Sequence, residues 1–208
     1  MPRIFVDRLT IGADSIDMNG HVNNQEYVRW MQDVATAHSG EQGWTMERYL
    51  AAVSESGQPY QNELFQRLII WAFDVGDFDT GIAWAELAIK QGQRTPNNIK
   101  RDWAHFVADT VLEWAEKQAA EGHAVEPWFS RVFDKVRNEW RLNERLTAKW
   151  FKAAGCLLLR DHDGQPRPSA VGDSATLEQA AHWLLQAEKL HRKAGVNTLL
   201  LKIAMRLR

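Results

Sequence analysis

From about residue 60 to the end of the chain, apolar residues return at intervals of three and four, with Gly and Pro falling between the runs. Positions three and four apart share one face of an α-helix, so this pattern predicts an all-α architecture made of several amphipathic helices. Asn62 is placed to cap a helix running to Phe73, with Leu64, Leu68, Trp71 and Ala72 on its apolar face, and Gly76-Asp77 ends it. Asp79 is placed to cap a second helix that runs to about Gln91, before Gly92. A third is expected from near Asn98, after Pro96, to about Glu121. Glu126-Pro127 opens a fourth, since Pro suits a first helical turn. Asn143 is a cap for a fifth, reaching Leu159. The stretch 161–174 holds two Pro and two Gly and is predicted to be a loop. Two last helices, about 175–193 and 196–207, meet at Gly195.

Two of these pairs have tetratricopeptide-like small residues where helices would approach closely. The stronger pair sets Phe151, Ala154, Gly155 and Leu158 against Ala180, Leu184 and Ala187. The other centres on Gly81, Ala85 and Ala88. The loop in the stronger pair is too long for a regular repeat, so local repeat-like packing is expected rather than an array.

The first fifty residues are different. Residues 4–11 are β-rich and suit an edge strand, and 17–21 carry turn chemistry. Tyr27, Trp30, Met31 and Val34 then share one helical face. A linker-like stretch follows at 54–59. The chain is therefore expected to divide into a short mixed strand and helix segment, 1–50, and a helical domain, 51–208.

Ten Trp and eight Phe supply ample apolar area, and 45% hydrophobic with 25% charged residues is the balance of a globular chain, which excludes disorder throughout. Cys156 is the one cysteine, so no internal disulfide can form, and its apolar surroundings suit a buried thiol. There is no charged-then-apolar leader and no run of eighteen apolar residues, which predicts a cytoplasmic protein without a membrane span. The net charge is −2; residues 1–50 hold four Lys and Arg against seven Asp and Glu, leaving 21 basic and 20 acidic residues after them. Neither part is a basic block, so a DNA-binding role would need a local patch, an assembly of several subunits, or a missing segment.

Lys189, Arg192, Lys193, Lys202, Arg206 and Arg208 form the densest basic region, suited either to phosphates or an acidic partner, or to a solvated helix face. Asp74, Asp77 and Asp79 have the residue type for a divalent metal, although helix capping explains them equally without one. Asp161 and Asp163 suit turns. His105 and Asp109, one turn apart, suit a metal pair or a helix-surface contact, and no third ligand is in view to favour the metal; His182 and His191 lack zinc-site spacing. Trp103, Trp114, Trp128, Trp140 and Trp150 would stack on bases or, as these helical spacings favour, pack a core or a subunit contact. No Gly-rich phosphate loop ending in Gly-Lys-Ser/Thr occurs, and no cofactor is expected.

The stretches 70–79 (IWAFDVGDFD), 85–92 (AELAIKQG), 106–115 (FVADTVLEWA), 147–155 (TAKWFKAAG) and 187–196 (AEKLHRKAGV) resemble, in order, the small subunit of a tailed-phage DNA-packaging terminase. That resemblance implies a homo-oligomeric ring that recognises viral DNA and loads it onto the ATP-driven terminase large subunit. Family members often carry the name endonuclease subunit. The family's longer, basic opening segment is not found here. In its place, 17–27 (DMNGHVNNQEY) resembles the opening of hotdog-fold acyl-thioesterases. That second resemblance implies an acyl-CoA thioester hydrolase in which Asp17 acts as base or nucleophile, with His21, Asn23 and Asn24 placing substrate or the helix start. The strands a hotdog sheet needs should follow Leu50, where the pattern is helical. The chain therefore looks like a fusion, joined near residues 49–51.

Overall fold

A computed structural model describes residues 63–208, together with Gln61 and the scattered positions Ile16, Arg29, Trp30, Asp33, Val34 and Ala37. The expected edge strand, the 17–27 motif and the junction near residue 50 lie outside the described residues. Among the described residues there are seven α-helices and one short 3-10 turn, so the all-α expectation holds. They form two compact units, divided between Lys100 and Arg101.

In the first unit, α1 (Glu63–Asp74) and α2 (Phe78–Lys90) make a helical hairpin. The chain leaves α1 through Gly76, where the Asp77 N–H reaches back to the Ala72 carbonyl at 2.8 Å. Asp77, rather than Asp79, caps α2: its side chain accepts the Thr80 N–H at 3.1 Å, because the helix begins two residues earlier than expected. Phe65, Ile69, Ala72 and Phe73 bury against Phe78, Ile82, Ala85 and Ala88. The Phe73 and Phe78 rings meet edge to face at 5.7 Å. Gln61 fastens the exit of the hairpin, accepting the Arg94 N–H at 2.7 Å and donating to the Gly92 carbonyl at 3.1 Å.

In the second unit follow α3 (Trp103–Ala120), α4 (Trp128–Asn138), α5 (Glu144–Leu158), the 3-10 turn (Pro168–Ala170), α6 (Ser174–Leu190) and α7 (Asn197–Arg206). The start of α3 lies at Trp103, not near Asn98. Residues 96–99 form a turn closed by the Ile99 N–H on the Pro96 carbonyl, and Asp102 supplies the cap, accepting the His105 N–H at 2.8 Å. Asn143 caps α5 as expected, accepting the Leu146 N–H at 2.9 Å. α6 begins one residue before the expected start and ends sooner, at Leu190, because Asp173 caps it and His191 turns the backbone extended.

The centre of this unit is aromatic. Trp150, fully buried, lies against Phe129 at 4.9 Å between ring centres and donates its indole N–H to the Ala108 carbonyl at 3.1 Å. That bond removes the cost of a buried polar group. Phe133 stacks on the other side of the same cluster and meets the Trp183 ring at 5.3 Å. A second cluster of Leu159, Leu177, Ala180, Leu184, Val196 and Ile203 joins α6 and α7 to the end of α5.

The close α5–α6 contact expected from repeat-like spacing is present. A Cβ on Gly155 would lie 2.7 Å from the Leu184 side chain and 3.1 Å from the Ala180 carbonyl. Gly81 makes the equivalent approach in the hairpin, where a Cβ would meet the Phe73 ring at 3.0 Å.

Candidate functional site

The basic residues of the last two helices are on the surface. Lys189, Arg192, Lys193, Lys202, Arg206 and Arg208 are all exposed, and none makes an ion pair with another described residue. Arg206 donates to the Val171 carbonyl at 3.3 Å, which ties α7 to the turn before α6. Beside these charges α7 turns two large apolar side chains outward: Leu201 is 69% and Met205 74% exposed, one helical turn apart.

A cavity of about 480 Å³ opens in the same unit between α3, α5, the loop after α5 and the end of α6. Its walls include Arg145, Lys149, Lys152 and Arg160 from α5 and its continuation, and Lys193 beyond α6. Ala119, Ala148, Ala153, Leu157 and Pro166 make its apolar surface. Lys152 donates to the Ala194 carbonyl and Arg160 to the His123 carbonyl, each at 2.8 Å, so both are held in place by neutral partners. Cys156 also lines the cavity and is half-buried there, where its apolar run suited a fully buried thiol. Burial pushes its thiol above the usual value; Lys152 opposes that shift and Glu116 adds to it.

The loop that closes the cavity is built by Asp161 and Gly164. Asp161 accepts the N–H groups of Gln165 at 2.8 Å and Asp163 at 3.0 Å and pairs with the Arg167 guanidinium at 3.0 Å. Desolvation works to raise its carboxyl, but the Gln165 N–H, Arg167, the Asp163 N–H and His162 together hold it below the usual carboxylate value. Gly164 has φ +79°, and a Cβ there would collide with the Ala119 carbonyl. Asp161 and Asp163 are therefore turn residues.

The other expected sites come apart or find ordinary partners. Asp77 is a helix cap, and burial raises the Asp74 carboxyl above its usual value. Among the described residues no three His, Cys, Asp or Glu side chains gather where a metal would be held. The expected His105–Asp109 contact is replaced. His105 lies with Nδ1 2.9 Å from Asp102 and accepts the Asn143 N–H on Nε2 at 3.2 Å, while Asp109 pairs with Arg101. A cap one turn earlier and the start of α5 capture the imidazole first. Trp103 and Trp150 are buried in the core, and Trp114 meets Trp128 edge to face at 5.2 Å. Trp140 is half-buried. Asp17, His21, Asn23 and Asn24 lie outside the described residues. No helix among the described residues is long and apolar enough to cross a membrane.

The sequence pattern alone did not point to the cavity, although a signal was there. Arg145, Lys149 and Lys152 recur at four and three on α5, which marks a basic helix face as surely as apolar spacing marks a core face.

Residues 44–145 match the family model described as phage small terminase subunit, and residues 5–43 match that of the acyl-ACP thioesterase C-terminal domain. The "Probable terminase, endonuclease subunit" of Haemophilus phage HP1 (strain HP1c1) is 38% identical over 165 residues, which is 78% of this chain. The chain spans 59% of the length of that relative. No solved structure matches it.

Proposed function

Because the helical part of this chain resembles the phage terminase small subunit, we propose that the protein is an assembly and binding module of viral DNA packaging. In this reading it forms a homo-oligomer in the host cytoplasm. The end of the chain meets viral DNA or the terminase large subunit. The observation that carries the reading is the exposed basic end: six Lys and Arg on the last two helices, the turn between them and the residues after α7, with no ion pairs among the described residues. Charges of this kind cost little to leave solvated and are free to meet phosphates. Leu201 and Met205 support assembly, since large apolar side chains exposed side by side mark contact surfaces. The relative's printed name includes an endonuclease, and no cutting step is assigned to this chain.

The division of the chain at residues 50/51 is part of the proposal, with 1–50 a truncated thioesterase-like segment. A lone Asp17 without its sheet and acyl channel would leave a thioester unpositioned, and positioning supplies much of such catalysis.

The solution mass of the intact protein, measured by native mass spectrometry across a range of concentrations, tests the reading. A closed multi-subunit assembly is the expected result. A monomer at every concentration would overturn it.

A further inference from the structure

The cavity of the second unit holds a surplus of positive charge that the fold itself does not use. Arg145, Lys149 and Lys152 stand about one turn apart on α5, Arg160 lies beyond the helix end, and Lys193 lines the cavity from the turn after α6. Glu116 is the one carboxylate lining the cavity. Neither it nor any of the five cations forms an ion pair among the described residues. The bonds of Lys152 and Arg160 go to backbone carbonyls, which orient the charges and leave them uncancelled. Gathering like charges beside apolar walls is unfavourable for the empty protein and focuses a positive potential into the space between them.

That volume, about 480 Å³, lies within the range of small-molecule sites, which is roughly 300–1,000 Å³. A single phosphate would leave most of the row unmet, and a duplex is far too wide to enter. We infer that this cavity binds a small polyanion, a di- or triphosphate chain such as a nucleotide carries, with Arg145, Lys149 and Lys152 along the phosphates. The apolar surface of Ala119, Ala148, Ala153 and Leu157 lies beside that row and takes the uncharged part of the ligand. No bond is made or broken in this step. The site does not depend on the packaging role, and it is read out separately from assembly.

Cys156 provides a reporter, because it is the sole cysteine of the chain and stands in the cavity wall. The intact protein is titrated with inorganic tripolyphosphate, ATP and adenosine, following thermal unfolding and the rate at which iodoacetamide alkylates Cys156. Tripolyphosphate and ATP are expected to raise Tm by about 5 °C at a hundredfold excess over Kd and to slow alkylation. Equal affinities would identify the phosphate chain alone as the ligand, and tighter ATP would identify a nucleotide. Lys149→Glu changes an exposed side chain and is expected to weaken binding by about tenfold or more. Lys149→Gln makes the same test with a milder change. Lys202→Glu, an equal change of charge on α7 and outside the cavity lining, is expected to leave binding intact. The inference is overturned if neither anion shifts Tm or protects Cys156, if adenosine binds as well as ATP, or if Lys202→Glu weakens binding as much as Lys149→Glu.

Discussion

At Gly155 two residue-level effects compete, and their sizes decide which wins. An alanine in mid-helix is favoured over glycine by about 1 kcal/mol, through helix propensity alone. Here the added methyl would stand 2.7 Å from Leu184, which is fully buried, and 3.1 Å from a backbone carbonyl. Neither neighbour can yield cheaply, and overpacking of this kind costs about 1–3 kcal/mol. Gly155→Ala is therefore expected to lower stability in urea denaturation despite its better propensity. Gly172→Ala is the control: nothing lies within 4 Å of its Cβ position, so its midpoint should stay the same or rise slightly. A higher midpoint for Gly155→Ala would mean that α5 and α6 are not in the close contact described. The small residue here was legible from its place opposite Ala180 and Leu184. The capture of His105 by Asp102 and Asn143 was not, since Asn143 is thirty-eight residues away in the chain.

Among the elements, helix ends are where local chemistry is most readable, and the errors are instructive. Asn143 was legible as a cap because it alone precedes the apolar run of α5. Asp77 and Asp79 both stand at the start of the apolar run of α2, and the backbone turn through Gly76 makes the former the cap and leaves the latter in the first turn. Pro96 drew the expected start of α3 too early, since proline can open a helix as well as a turn. The cavity was illegible for another reason: its basic row is local to α5, but its other walls come from α3, from residues 164–166 and from His191, Lys193 and Ala194, which sequence spacing does not bring together. Asp173 offers an element-level test. The Thr176 hydroxyl, the Thr176 N–H and the Ala175 N–H all bond its carboxylate and hold its carboxyl below the ordinary value. A carboxyl depressed in the folded state stabilises it above the unfolded-state value, near 3.9, and that contribution fades as pH falls through the folded value. Asp173→Ala is accordingly expected to lower Tm at pH 7 and to converge on the parent protein in acid. A difference that persists unchanged well below pH 3 would show that the cap acts through something other than its charge.

For the molecule as a whole, the charge balance sets how DNA could be held. A net charge of −2 gives no general attraction to a polyanion, and exposed charges more than a Debye length from the bound strand are screened at physiological salt. Within these residues an affinity for DNA would rest on a few local cations, which an assembly of copies would multiply. Arg192 and Lys193 lie in the turn between α6 and α7, both exposed and both within the densest basic region. Every phosphate deprived of its cationic partner should reduce the slope of log K against log salt by about one. Arg192→Glu together with Lys193→Glu is thus expected to weaken DNA binding across all sequences and flatten the salt dependence by about two per subunit engaged. Because Lys193 also lines the cavity, the same pair is compared with Lys202→Glu and Arg206→Glu, which lie on α7 and outside it. Weakening by both pairs would assign the effect to the basic end as a surface. Weakening by the first pair alone would move the DNA-binding position to the cavity mouth. If neither pair changes binding to DNA or to the large subunit, the basic end is a solvated helix face and the contacts proposed for it are wrong.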